Sequence, residues 1–264
     1  MDLLEEKKAL SQHISACEMI IKRMGGHFEQ LTNIEENILR NVLKRETITF
    51  IENSIAMNLM DKFSVLRSMC LLSLMQCGLS SEEGNLLRTQ FLNTYGYHLL
   101  PLLYHLEKLG LFTLQSNLDL KPSSLAGKVA QVVPLPAKKT PLQHIVQKLK
   151  LIPPKEEEPS PRNPSAMNYV FGGSYTPAAC ELVRCLHTSE LTKEDVPKCF
   201  STAKVEVLEP SSTTMNTFFV YFVGGVTYAE VAAFQLFEKL TGCQVIVGAT
   251  NIINGNSICK SCCD

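Results

Sequence analysis

The chain has 264 residues, enough for a sizeable core or two modest domains. Its 45 % hydrophobic and 19 % charged content is that of a soluble globular protein, and a formal net charge of −1 offers neither a nucleic-acid footprint nor a polybasic membrane patch. No apolar stretch approaches the length of a membrane-crossing helix, and the opening MDLLEEKKALSQH is charged and amphipathic, unlike a secretory signal. Of the 10 cysteines, all but the three at Cys259, Cys262 and Cys263 are scattered singly. With no secretory signal they read as reduced, mostly buried thiols, and the cytoplasm is the expected compartment.

The first half reads as helical. Leu3–Arg23 places Leu3, Leu10, Ile14, Cys17 and Ile21 on roughly one face, and Gly25-Gly26 should stop it. A second helix is expected over Phe28–Leu43, through Leu31, Ile34, Ile38 and Val42, with Glu35, Glu36 and Arg40 on a solvated face. A third covers Thr47–Met57, packing Phe50, Ile51 and Ile55. Asp61 is a good N-cap for Lys62–Gln76, with Gly78 just beyond its end. Ser80 and Glu83 have capping-box spacing and open a helix through about Thr94. Tyr95-Gly96-Tyr97 breaks the chain, His98–Leu109 follows as a helix closed by Gly110, and Leu111–Leu114 can extend. Three helices and an extended end resemble a winged-helix unit. Its few basic residues, Arg88, Lys108 and His98, point to protein docking and away from DNA.

Ser116–Pro164 reads as a linker. Pro134, Pro136, Pro141, Pro153 and Pro154 forbid long helices between them, leaving room for a short one within Leu142–Leu151. The run Lys155–Pro164, with Glu156–Glu158, reads as a solvated loop.

The last hundred residues read as α/β. Asn168–Phe171 is a short β-rich run followed by Gly172-Gly173-Ser174, Pro177 and a helix carrying Ala178, Leu182, Cys185 and Leu186. Leu191–Asn216 is irregular and polar. Phe218–Val223 is an unbroken apolar run suited to a strand buried on both faces. Gly224-Gly225 then turns the chain, and Thr227 with Glu230 caps a helix starting near Tyr228. Val231, Phe234, Phe237 and Leu240 stripe that helix, Gly242 ends it, and Gln244–Val247 is a second buried strand. The unit is β-α-β with a right-handed crossover, and with Asn168–Phe171 it predicts a small parallel sheet of three strands. A sheet that small leaves its edges short of neighbours.

No catalytic constellation stands out. Gly224-Gly225-Val226-Thr227 lacks both the dinucleotide glycine spacing and the Lys-Ser/Thr of a P-loop, so a phosphate- or nucleotide-binding enzyme built on that turn is only an alternative reading. Cys259-x-x-Cys262-Cys263 has metal-like spacing but no second ligand pair, so exposed terminal thiols are expected in preference to a zinc-dependent adaptor. His98 and His105 stand too far apart to share a metal, and Ser73 and Ser174 sit in no nucleophile elbow.

FVYFVGGVTYAEVAAF (Phe219–Phe234) resembles the F-x-GG-x-T-x-x-E-I-x-A-L-R signature of the Sec/Munc (SM) family, regulators of SNARE-driven membrane fusion. Phe222, Gly224, Gly225, Thr227, Glu230 and Ala233 match it, and Phe234-Gln235 stands where the family has Leu-Arg. LRSMCLLSL (Leu66–Leu74), Gly78-Leu79, Tyr95-Gly96 and LEKLGL (Leu106–Leu111) are similar to the family's third domain, and NYVFGGSYTPAACELV (Asn168–Val183) to the segment before its final strands. HISACEMI (His13–Ile20), FIENSIAMN (Phe50–Asn58) and YVFGGSY (Tyr169–Tyr175) resemble the vacuolar-protein-sorting thirty-three branch, its B-type above its A-type.

The resemblance implies a mostly helical α/β fold. A helical hairpin or bundle plus winged-helix-like unit (1–115) and a linker (116–164) precede the closing part of the central α/β domain (165–264). The match begins inside the third domain, so the first domain and the early strands of the sheet fall outside it. After Asn254-Gly255 the family continues into a terminal helix, whereas NSICKSCCD reads as an abrupt end, as expected of a truncated or alternatively spliced product. The resemblance implies a non-enzymatic protein without cofactor or metal. It would bind SNARE proteins through Leu3–Leu43 and pair with a VIPAR-type or HOPS/CORVET-type tethering subunit. It would sit in the cytoplasm, held peripherally on late endosome and lysosome membranes by its partners. Lys108, Leu111, Phe112 and Leu114 are the expected tether contacts, while Phe222, Gly224, Gly225, Thr227 and Glu230 are expected to be architectural.

Overall fold

The structure, a computed structural model, describes residues 3–24, 27–115, 141–154, 164–191 and 217–263, with isolated positions 196, 200, 204 and 206. Gly25-Gly26, most of the linker and most of Leu191–Asn216 lie outside the described residues.

Helices α1 (Leu3–Met24), α2 (His27–Leu39), α3 (Lys44–Ala56), α4 (Lys62–Gln76), α5 (Ser81–Tyr95) and α6 (Leu100–Lys108) form the first part, with a 3₁₀ turn at Tyr97–Leu99 leading into α6. The turn replaces the start of the helix expected from His98, because Pro101 sits in the first turn of α6 and Gly96, at φ 105°, breaks the chain just before it. The second expected helix also divides early. It ends at Leu39, Asn41 and Leu43 take left-handed conformations, and α3 starts at Lys44, ahead of Thr47. An asparagine tolerates that conformation better than most residues, which lets the chain reverse between α2 and α3.

Helix α4 is the axis of the first core. Val65, Leu66, Met69, Cys70, Leu72 and Met75 are all buried around it, and α2, α3 and the later helical segments Pro141–Lys148 and Gly255–Ser261 pack on it. Ile51, Ile55, Leu87, Phe91, Leu103 and Phe112 close that core at no more than 1 % exposure. Each such side chain contributes roughly 1.5–3 kcal/mol of burial. The ends of α4 follow local chemistry. Asp61 accepts from the Ser64 amide, and Cys77 takes the left-handed C-cap one residue ahead of Gly78. Ser80 and Glu83 form the full capping box on α5. Beyond α6 the chain extends, and Leu114 makes a single parallel bridge to Leu79. Ser73 clasps that strand from below, its hydroxyl accepting from the Thr113 amide at 2.9 Å.

Helix α7 (Pro141–Lys148) lies within the stretch expected to be linker, yet it is built into the fold. Leu142 packs on the first core, while Leu149 and Leu151 are buried against Ala178, Leu191 and Phe200. The Thr176 amide donates to the Leu151 carbonyl at 2.8 Å.

The second core is formed by α8 (Ala178–His187), β1 (Thr217–Phe222), α9 (Tyr228–Thr241) and β2 (Gln244–Ala249). Strands β1 and β2 are parallel, from Thr217 opposite Gln244 to Phe222 opposite Ala249. Two expectations fail here. Asn168–Phe171 is part of a 3₁₀ helix, Met167–Phe171, and not a strand. Gly172 and Gly173, at φ 62° and 80°, coil the chain, and Met167 is buried against α9. The sheet therefore has two strands among the described residues, not three. Nor is either strand buried on both faces. Phe218, Val220 and Phe222 of β1 pack under the helices while Phe219 and Tyr221 are 69 % and 56 % exposed, and in β2 Val245 is buried while Ile246 is exposed. The short helix α10 (Gly255–Ser261), capped by Asn254, returns to pack on α4.

Candidate protein-docking surfaces

Two apolar surfaces have no cover among the described residues. The first is α1. Every residue from Leu3 to Arg23 is exposed, including the predicted stripe of Leu3 (83 %), Leu10 (61 %), Ile14 (51 %), Cys17 and Ile21 (72 %). Phe28 at the start of α2 continues it. An apolar stripe exposed along a whole amphipathic helix marks a candidate surface for a partner. The second is the outer face of the sheet, where Phe219 and Tyr221 stack at 6.3 Å beside exposed Ile246.

The four expected tether contacts separate. Lys108 is exposed, with its ammonium 4.8 Å from the Tyr104 ring, and Leu109 beside it is exposed too. Leu111 and Leu114 are half-buried against the first core. Phe112 is 0 % exposed, so its ring belongs to the core and is not on the surface where a contact was expected. An apolar residue leading into an irregular segment looks like a contact in sequence, but the Leu79–Leu114 bridge folds this one inward.

The signature residues are brought together as architecture. Thr227 and Glu230 make the complete capping box, with the Glu230 carboxylate accepting from the Thr227 amide at 2.8 Å. The Gly224 amide donates to Thr250 Oγ1 at 2.9 Å, and the Val226 amide to the Asn251 carbonyl at 3.0 Å. A phosphate at this turn would compete for donors already engaged and would meet the Glu230 carboxylate. Gly225, at φ 142°, has Ile253 only 2.6 Å from where a Cβ would stand, so it is a packing glycine. Phe222 packs on Phe234 at 6.3 Å between ring centres.

The cysteine tail is not a set of exposed thiols. Cys259 is 4 % exposed in the first core, Cys262 is half-buried and Cys263 is exposed. The Asn254 capping box winds Gly255–Ser261 into α10. No group of three His, Cys, Asp or Glu among the described residues is arranged to hold a metal. Burial, then Glu230 and Glu181, pushes the Cys180 thiol up to about 12, so it stays protonated. His98 and His105 serve separately, His105 meeting the Cys262 carbonyl at 2.9 Å. No described helix is long and apolar enough to cross a membrane.

Fold and surface together define a mostly helical α/β protein whose Gly-Gly turn is structural and whose apolar α1 is left open among the described residues. The Sec1 family model matches residues 1–261, and the chain belongs to that family. Among curated relatives, vacuolar protein sorting-associated protein 33B of Danio rerio is 31 % identical, over 99 % of this chain and 46 % of the relative. The Homo sapiens 33B protein is 30 % identical over 96 % and 44 %, whereas the Rattus norvegicus 33A protein is 26 % identical over 94 % and 40 %. The B-type resemblance is thus the stronger, as the sequence motifs indicate. The chain spans less than half the length of these relatives. A crystal structure of the Unc18–syntaxin 1 complex from Monosiga brevicollis superposes with a TM-score of 0.59 at 19 % identity, covering 99 % of this chain and 41 % of that one, which establishes the shared fold.

Proposed function

We propose that this chain is a non-enzymatic regulator of vesicle docking and SNARE-mediated fusion, working in the cytoplasm between endosome and lysosome through protein contacts alone. Family membership, the vacuolar-sorting names of its relatives and the syntaxin in the neighbouring structure's title support the reading. The observation that carries it is α1, whose apolar stripe is exposed over its whole length and fits an amphipathic helix of a SNARE.

A large tethering subunit, VIPAR-type or HOPS/CORVET-type, is the second partner and would hold the protein peripherally on late endosome and lysosome membranes. Its candidate contact is Lys108 with half-buried Leu111 and Leu114, which Phe112 supports from beneath.

The test is calorimetric titration of the full chain with cytosolic regions of endosomal and plasma-membrane SNAREs, alongside Ile14→Asp and Ile21→Asp. Both substituted side chains are exposed, so the variants should keep the melting temperature and lose about tenfold or more in affinity. Absence of SNARE binding by the wild type, or equal binding by the variants, would refute the reading. Lys108→Glu should weaken co-purification with the tether and leave SNARE binding unchanged.

A further inference from the structure

Two unpartnered apolar faces stand on this chain, one helical and one of sheet. The helical face is the α1 stripe of Leu3, Leu10, Ile14, Cys17 and Ile21, exposed throughout. The other is the outer face of the sheet. Alternation along β1 sends Phe219 and Tyr221 outward, and the register of Phe219 opposite Ile246 sets exposed Ile246 beside them. Exposed Val223, just past the end of β1, extends the patch. The remaining outward positions of the two strands are Thr217, Gln244 and Gly248, so the face carries no charge. A helix stripe and a sheet face each need another element to bury against, and neither has one among the described residues. We propose that the chain forms a closed two-fold dimer in which α1 of each copy lies across the outer sheet face of the other.

The dimensions match. Leu10 to Ile21 run about 16 Å along α1, and the six-residue strands are about 20 Å long. The sheet face is low enough to seat a helix. The Tyr221 ring lies over Gly248, where an added Cβ would come within 2.8 Å of it, and stacks on Phe219 with 21° between the ring planes. Glu6 and His13 border the α1 stripe on one side and Lys7 and Glu18 on the other, which makes a polar rim around an apolar centre.

Area favours two reciprocal contacts. At about 100 Å² per exposed apolar side chain, one α1 stripe and one sheet face together lose roughly 800 Å², less than most specific interfaces bury. The two-fold pair loses about 1,600 Å², the size of a stable interface. Symmetry supplies the second contact without any new surface. A helix from another protein would cover the sheet and leave α1 bare, or the reverse, whereas a second copy of this chain covers both. A formal net charge of −1 puts little repulsion between two copies. The dimer buries the stripe that the proposed function offers to a SNARE helix, so the two occupants compete for α1.

The test is sedimentation velocity of the full chain over a wide concentration range, with no SNARE present. The expected result is reversible association to twice the 29.4 kDa of the chain. Ile14→Asp on α1 and Tyr221→Asp on the sheet should each weaken it about tenfold or more, with far-ultraviolet circular dichroism unchanged because both side chains are exposed. An equimolar mixture of the two variants should associate more tightly than either alone, since it restores one undamaged contact, wild-type α1 on wild-type sheet. A wild-type chain that stays monomeric throughout would overturn the proposal, as would growth into open assemblies beyond the dimer. Association insensitive to Tyr221→Asp would mean that α1 pairs with α1, and association insensitive to Ile14→Asp that sheet edges pair; either result overturns it. So does a mixture no tighter than its parts. Because no SNARE takes part, failure here leaves the proposed function standing, and absence of SNARE binding leaves the dimer standing.

Discussion

Arg67 and Glu35 meet at 2.6 Å across α4 and α2, and the same guanidinium reaches Asn256 on α10. One side chain thus joins three helices distant in sequence. Its ends are about one-third exposed, so solvent screens the pair, and Arg67→Ala should cost roughly 1–2 kcal/mol in urea unfolding. An unchanged midpoint would show that the trio holds nothing together.

Phe112 distinguishes core from contact. With its ring at 0 % exposure, Phe112→Ala should cost about 3–5 kcal/mol, and Phe112→Asp should not yield a folded chain. Lys108→Glu, only four residues away but exposed, should leave the melting temperature unchanged. A stable Phe112→Asp protein would return that ring to the surface.

The two turn glycines should respond unequally. Gly224 (φ 111°) has nothing within 4 Å of a Cβ, so Gly224→Ala carries backbone strain alone, about 1–2 kcal/mol. Gly225 (φ 142°) adds a collision with Ile253, and Gly225→Ala should lose more. Equal losses in thermal unfolding would contradict the packing role of Ile253.

Glu83 sets an acid-side dependence. Burial raises its carboxyl, but hydrogen bonds from Lys44, at 2.8 Å, and Ser80 outweigh it and hold the group below the usual 4.5. A depressed carboxylate contributes stability above its unfolded value that is lost as pH falls through the folded one. Glu83→Gln should therefore be less stable at neutral pH and lose less on acidification below about 4.5. Added salt should shrink the difference, since the pair is partly solvated. Parallel pH curves for the two proteins would remove Glu83 from the acid limb.

Much of the fold is legible from local chemistry. Asp61, Ser80 and Thr227 each start the helix expected of them, and Gly242 ends α9 in a left-handed conformation. Those contacts link residues three or four apart and need no distant partner. Asn168–Phe171 misleads because a run of β-formers is equally compatible with a tight turn when two glycines follow it. The predicted stripe of α1 is legible, while its exposure is not. The proposed tether contacts show the same limit: Lys108 and Phe112 are four residues apart, yet tertiary packing leaves one exposed and puts the other in the core.

The sequence by itself determined the capped starts of α4, α5 and α9, the β-α-β order, the Gly-Gly turn and the family to which the chain belongs. Tertiary structure alone decided which apolar faces are covered: Cys259 and Phe112 buried in the first core, Phe219 and Tyr221 left bare. Caps and turns depend on hydrogen bonds within a few residues. Burial depends on elements far apart along the chain meeting in space, and no local pattern records which face will find a neighbour.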